Sequence, residues 1–367
     1  MHDFIPVYSP QLTGGEWDNV KECLDTTWIS SRGRFVEEFE QQFASYVGTA
    51  HAISVCNGTV ALHLALAGLG IGPGDKVAVQ TFTYVASVNA VRYVGAEPVF
   101  IDSDPVTLQM CPQDLSRKVA SGDVRAVIVA HLYGQAANMG EIASVAQRHG
   151  MLVVEDCAEA FGTRIGNRHV GIDSEVATYS FFGNKTITTG EGGMVTTDDA
   201  TVAQLLRKLR GQGLAGEREY WHDVVGFNFR MTNICAAIGT AQLARADEVI
   251  ERKRKIAEYY RQAIKGTPLE FHHEQPGTTH SFWMCSVLAK SAQERDTLRD
   301  YLKSCGIDTR PFFYPVHSMP MYQEWDHGPY PGADNVAYRG LNLPSFPALN
   351  DHQLDRISTA IHQFYRG

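Results

Sequence analysis

Phe35, Phe39, Phe43 and Val47 recur at every fourth position, with Glu37, Glu38 and Gln41 between them. That spacing puts the apolar side chains on one stripe and predicts an amphipathic helix near the N-terminus. Downstream, short apolar runs at 51–56, 76–80, 98–101, 126–132 and 152–155 alternate with helix-like segments such as 60–69, 114–120 and 139–148. β-rich runs joined by helical crossovers predict a mostly parallel sheet covered on both faces. Two more β-like runs, 176–182 and 193–197, bracket the stretch SFFGNKTITTGEGGMVTT.

After Met231 the pattern changes. Residues 233–265 read as one long helical stretch with room for a bend, and its charged run from Glu251 to Lys255 reads as a solvated face. An apolar run at 282–289, a helix at 292–304, a strand at 308–313 and a terminal helix at 351–365 then predict a small α+β domain. The expected division is a large α/β domain over 1–245 and a small one over 246–367, with the long helix as connector.

Composition narrows the class. With 367 residues, 44% of them apolar and 20% charged, the chain can bury a large core. A net charge of −9 argues against a nucleic-acid binder, which would carry a basic stripe. No run approaches the roughly 18 apolar residues a membrane span needs, and the start MHDFIPVYSP lacks signal-peptide character, so a cytoplasmic protein is expected. The seven cysteines are scattered without CxxC and the fourteen histidines form no HExxH, so reduced, mostly buried thiols and no metal are expected. His272 and His273 read as a loop pair.

In open α/β sheets ligands bind beyond the carboxyl ends of the strands. Asn57, Gly58 and Thr59 link a strand to a helix there, as either a plain Asn-Gly turn or a phosphate cup. Asp156 ends an apolar run, as either a backbone-satisfied cap or a buried carboxylate facing a cation. Glu159 fits a capping box or a second ligand contact, and Tyr84 fits either core or a platform for a ring. Adding Lys185 makes one cofactor explain the set. Pyridoxal 5′-phosphate needs a lysine for covalent attachment, an acid for its ring nitrogen and a phosphate cup. GxGxxG after the first strand and GxxxxGK[ST] are both absent.

The strings NGTVALHLAL, TYVASVNAV, VVEDCAEAFG, SFFGNKTITTGEGGMV, FNFRMTNICAAIG and NLPSFP resemble the sugar aminotransferases of the DegT/DnrJ/EryC1/StrS family, from Ile5 almost to the C-terminus. The resemblance implies the aspartate aminotransferase-like fold (fold type I), with a large mostly parallel sheet domain and a small C-terminal α+β domain. It also implies a homodimer with shared active sites, or a pair of such dimers. Lys185 would carry the cofactor and move protons, Asp156 would pair with the pyridinium nitrogen and Tyr84 would stack on the ring. Asn57, Gly58, Thr59 and Ser180 would form the phosphate cup with Asn228 of the other subunit. Glu159 would lie near the 3-hydroxyl, where many relatives carry Gln or His. Another departure is Ser174-Glu175, where many relatives read Gly-Asp, which bears on the local turn.

The implied substrates are L-glutamate and a nucleotide-linked 4-keto sugar, aminated at C4 for O-antigen or related polysaccharide synthesis. Within the family the resemblance is to members acting on a GDP-linked 4-keto-6-deoxy sugar; UDP- or dTDP-linked sugars, or cofactor binding in a non-catalytic regulator, are the alternatives. Candidate cations for the diphosphate are Arg32, Arg34, Arg230 and Arg310, with Ser30, Tyr314 and His317 toward the sugar. Trp28 is expected to serve packing.

Overall fold

The computed structural model describes residues 4–216 and 218–366. We number the strands of its largest sheet β1 (His51–Val55), β2 (Lys76–Gln80), β3 (Glu97–Ile101), β4 (Val124–Ala130), β5 (Leu152–Asp156), β6 (Val176–Ser180) and β7 (Gly193–Thr197). Their spatial order is β1-β7-β6-β5-β4-β2-β3. β3, β2, β4, β5 and β6 run parallel, while β7 pairs antiparallel with both β6 and β1. The mostly parallel sheet expected from the apolar runs is present, with strand ends within three residues of the runs.

Alternation along the strands explains its burial. Ile53, Val55, Val77, Val79, Ile128, Val154, Val176 and Val195 enter one core with the helix Gly58–Gly68. Their chain neighbours face the other side. Ala52, Ala177 and Met194 pack there with Phe35, Phe39, Phe43 and Val47 of the helix Arg34–Val47, and Ala78, Val127, Val129 and Val153 pack with Met139 and Ile142. Both faces are therefore buried, as parallel strands require.

A four-stranded antiparallel sheet (Glu270–Phe271, Cys285–Leu288, Gly340–Leu343, Arg310–Pro311) and the helices Ala292–Ser304 and Asp351–Arg366 form the smaller unit. The start of the chain docks on it: Ile5 bridges to Ile307 and is buried in its core. Only two residues of the 308–313 run pair as a strand. Among the described residues no helix is long and apolar enough to cross a membrane. All seven cysteines are free; Cys23, Cys157 and Cys285 are buried and the other four partly so.

Two readings of the connector need correction. The 233–265 stretch is two helices, Asn233–Leu243 and Ala246–Ala263, broken at Ala244-Arg245. Arg245 leaves helical geometry while its guanidinium binds Thr13 and Glu248. The charged run is not wholly solvated, because Lys253 is fully buried. It falls on the inward stripe of Val249, Ile250, Ile256, Ala257 and Tyr260. There its Nζ donates to the Ser345 carbonyl and sits 5.3 Å from the centre of the Tyr8 ring. Burial pushes the Lys253 amine down to about 8.

This base is lowered in the fold, so between about pH 8 and its ordinary 10.5 the unfolded chain binds more protons than the folded one. Over that window Lys253 makes stability rise with pH, by up to about 1.4 kcal/mol per unit. Denaturant melts of wild type and Lys253→Met at pH 8 and pH 10 check this: wild type should gain relative to the variant, and parallel curves would contradict it.

Candidate active site

The carboxyl ends of β5 and β6, the turn after β1 and the loop between β6 and β7 meet around a cavity of about 540 Å³. Asn57, Gly58, Thr59, Tyr84, Asp156, Glu159, Ser180 and Lys185 all line it. Eight of the nine residues assigned to the cofactor are thus brought together from four stretches of chain. The ninth, Asn228, is exposed and lies outside this lining.

Local rules explain the seat. Asn57 caps the helix Gly58–Gly68, its Oδ1 accepting from the Val60 N–H at 3.0 Å. The remaining first-turn N–H groups have no partner within the helix and favour an anion. Gly58 is required by close approach: a Cβ there would stand 2.7 Å from the Ser180 Cβ. Gly193 is required likewise, since its Cβ would stand 2.5 Å from the Asn57 carbonyl oxygen. The turn and the two strands therefore close tightly around Ser180.

Asp156 is buried at the end of β5. Its Oδ2 accepts from the Ser87 hydroxyl at 2.7 Å and its Oδ1 from the Ala158 N–H at 3.1 Å, which fixes the carboxylate plane. Lys185 has a side chain only 13% exposed, with Nζ 3.9 Å from Glu159 Oε1 and 4.0 Å from the centre of the Trp283 ring. Burial lowers its pKa, opposed by the charges of Glu159 and Asp156. Burial also pushes the Glu159 carboxyl up to about 7, against the pull of Lys185 and of the Tyr133 N–H, which donates to Oε2 at 3.0 Å. The two partners are thus moved toward each other's range. Tyr84 is 56% exposed, its ring 5.5 Å from that of Phe313.

Sequence reasoning missed Ser87, Tyr133 and Trp283. Tyr133 is fully buried at φ 56°, a backbone region costly for a non-glycine residue, and its ring stacks with Trp283. No local signal marks these residues, although Ser87 lies three positions after Tyr84 at the start of a helix. Spacing also missed the buried cluster of His131, Glu155 and Cys157, whose polar atoms lie within 4.8 Å of one another. Its imidazole is occupied: Nε2 faces Glu155 at 2.9 Å and Nδ1 accepts from the Ala137 N–H.

The residues expected at the sugar nucleotide lie outside the cavity lining. Ser30 and Arg32 are exposed. Arg34 is bound by Glu22 and Glu38, and Arg310 by Asp308. His317 is buried, with Nδ1 2.7 Å from the Thr81 hydroxyl and its ring stacked on Tyr330. Tyr314 is half-exposed beside Tyr338. Arg230 itself forms the antiparallel bridge to Val55, and its buried Nε has no hydrogen-bond partner among the described residues. Trp28 is 56% exposed, lining a separate cleft with Cys23 and Phe35.

The chain is 50% identical over 362 residues to GDP-perosamine synthase of Escherichia coli O157:H7, covering 99% of each chain. It is 45% identical over 364 residues to GDP-perosamine synthase of Vibrio cholerae, covering 98% of this chain and 99% of that one. The crystal structure of the aminotransferase TlmJ from Streptoalloteichus hindustanus superposes with a TM-score of 0.92 at 31% identity, covering 98% of both chains. A family model matches residues 10–362, and the chain belongs to the DegT/DnrJ/EryC1/StrS aminotransferase family.

Proposed function

We propose that the protein transfers the amino group of L-glutamate to the C4 ketone of GDP-4-keto-6-deoxy-D-mannose, giving GDP-perosamine, with pyridoxal 5′-phosphate as cofactor. The observation that carries the chemistry is the Lys185 amine standing in one cavity with Asp156, Glu159 and the Asn57–Ser180 cup. The choice of sugar rests on the two synthases matched over nearly their whole length.

The residues fit the cofactor. A capped helix start suits its phosphate, and the absence of a side chain at Gly58 lets that start lie directly against Ser180. When bound, pyridoxal phosphate supplies an electron-withdrawing ring that acidifies the carbon bearing the amino group. Asp156, held by Ser87 and Ala158, offers that ring's nitrogen a fixed carboxylate. Lys185 would anchor the cofactor, and its Nζ would move a proton as general base. Its lowered pKa enlarges the neutral fraction that can do so. Glu159, pushed up to about 7, holds or yields a proton beside it. The stacked pair of Tyr133 and Trp283 keeps water from that side of the amine.

A second copy of the chain is proposed to cover the mouth. Tyr84 and Phe182 line the cavity yet are exposed, and the segment carrying Asn228 also bears Tyr220 and Val225, each 91% exposed. Arg32 and Arg230 are the proposed diphosphate contacts, being outside any ion pair among the described residues.

Two results test this reading. Purified holoenzyme given glutamate and GDP-4-keto-6-deoxymannose should form the amino sugar, seen by mass spectrometry, faster than with UDP- or dTDP-linked 4-keto sugars; no amination of any of them refutes it. Lys185→Ala should reduce turnover at least about 10²-fold with unchanged circular dichroism. For the cup, Gly58→Ala overpacks against Ser180 at about 1–3 kcal/mol. Cofactor affinity by equilibrium dialysis should accordingly weaken about 10-fold or more, and wild-type affinity would contradict the assignment.

A further inference from the structure

The peptide groups around Lys185 are held from outside the large sheet. The carbonyl of Asn184, one residue before it, accepts from the Trp283 indole N–H at 2.8 Å. The carbonyl of Lys185 itself accepts from the Tyr8 hydroxyl. Within the loop, the Lys185 N–H is spent on Phe182 at 2.9 Å. Both outside donors belong to the smaller unit. Trp283 precedes its strand Cys285–Leu288, and Tyr8 lies on the N-terminal segment that Ile5 anchors to Ile307.

Tyr8 has its own supports. The Val7 carbonyl accepts from the Ser345 N–H at 3.1 Å, while the Ser345 carbonyl accepts from the buried Lys253 amine, which faces the Tyr8 ring. Ser345 Oγ in turn accepts from the Cys285 N–H at 3.3 Å, tying this corner to the strand after Trp283. A chain of contacts thus runs from the connector helix through Ser345 and Tyr8 to the backbone of the reactive lysine. Burial raises the pKa of the Tyr8 phenol, so it remains a donor.

We infer that Tyr8 and Trp283 are positioning residues that clamp the consecutive carbonyls of Asn184 and Lys185, so that the smaller unit fixes where the lysine tether starts. The loop itself is irregular between β6 and β7 and contains Gly183 and Gly190, the latter at φ 82°. Its internal hydrogen bonds gather at 181–182 and 188–192, and at 184–185 the Lys185 N–H to the Phe182 carbonyl is the one made within the loop among the described residues. The inference rests on the reading that Lys185 carries the cofactor.

The test uses full-length Tyr8→Phe, which keeps the ring and its packing and removes only the hydroxyl, with Trp283→Phe as a second variant. Each is stripped of cofactor, then mixed with pyridoxal phosphate, and attachment is timed by absorbance and confirmed at Lys185 by borohydride reduction and peptide mass. Misplacing a reactive group by a fraction of an ångström slows it strongly, so attachment in Tyr8→Phe should be about 10-fold slower than in wild type. The value of kcat should fall with it, KM for the sugar should stay near wild type and the melting temperature should change little. Attachment and kcat at wild-type values overturn the clamp, as does a lowered melting temperature with unchanged attachment, which leaves Tyr8 a packing residue. If wild type attaches no cofactor at Lys185, the underlying reading fails; if it does and Tyr8→Phe matches it, only the clamp fails.

Discussion

A primary amine taken out of water must either lose its charge or find compensation, and the site is organised around that requirement at Lys185. Glu159 stands 3.9 Å from the amine, too far for a tight ion pair, and Trp283 offers the face of its ring at 4.0 Å. Both interactions temper the cost of burial without locking the amine in a saturated salt bridge. The result is a lysine with lowered pKa beside a carboxyl with raised pKa, which narrows the gap between the two groups.

The two structural units contribute differently to this balance. Strand ends of the large sheet supply the fixed polar points, with Asp156 closing β5 and Ser180 closing β6. The smaller unit supplies aromatic cover through Trp283 and Phe313, which join Tyr133 in one stacked wall. Packing at the cup leaves no slack, because Gly58 and Gly193 bring two backbones together where any side chain would collide. Rigidity is thus concentrated at the turn of Gly58 against Ser180, and the lysine loop is reached by contacts made across the units.

Much of this was legible in the sequence, and for definite reasons. Short apolar runs located the strands because both sheet faces are buried, strand ends located Asp156 and the Asn57 turn, and Ser180 came from the family resemblance. Lys185 became legible only in company with them. Lys253 was hidden because five consecutive charges masked its place on a three-and-four residue apolar stripe. The helix break at Arg245 was hidden because Ala and Arg are both good helix formers, and the break is set by contacts with distant Thr13 and with Glu248. Tyr133 and Trp283 carry no local mark, since their roles come from stacking across units. His317 shows the reverse: read as facing a sugar, it is engaged with Thr81 and Tyr330 in the packed interior.

Among the described residues Lys118, Lys185 and Lys253 are all largely buried with lowered pKa, and a depressed pKa alone would nominate any of them as the cofactor's anchor; Lys118 lies outside the cavity lining, its Nζ donating to the Phe100 carbonyl. Geometry separates them: Lys185 opens into the cavity, whereas Lys253 is enclosed by Ser345, Tyr8 and the small core. Peptide mapping of the borohydride-reduced holoenzyme by mass spectrometry decides the matter. The pyridoxyl label should fall on Lys185 at one per chain; a label on Lys253, or on no single lysine, would contradict the assignment of the site.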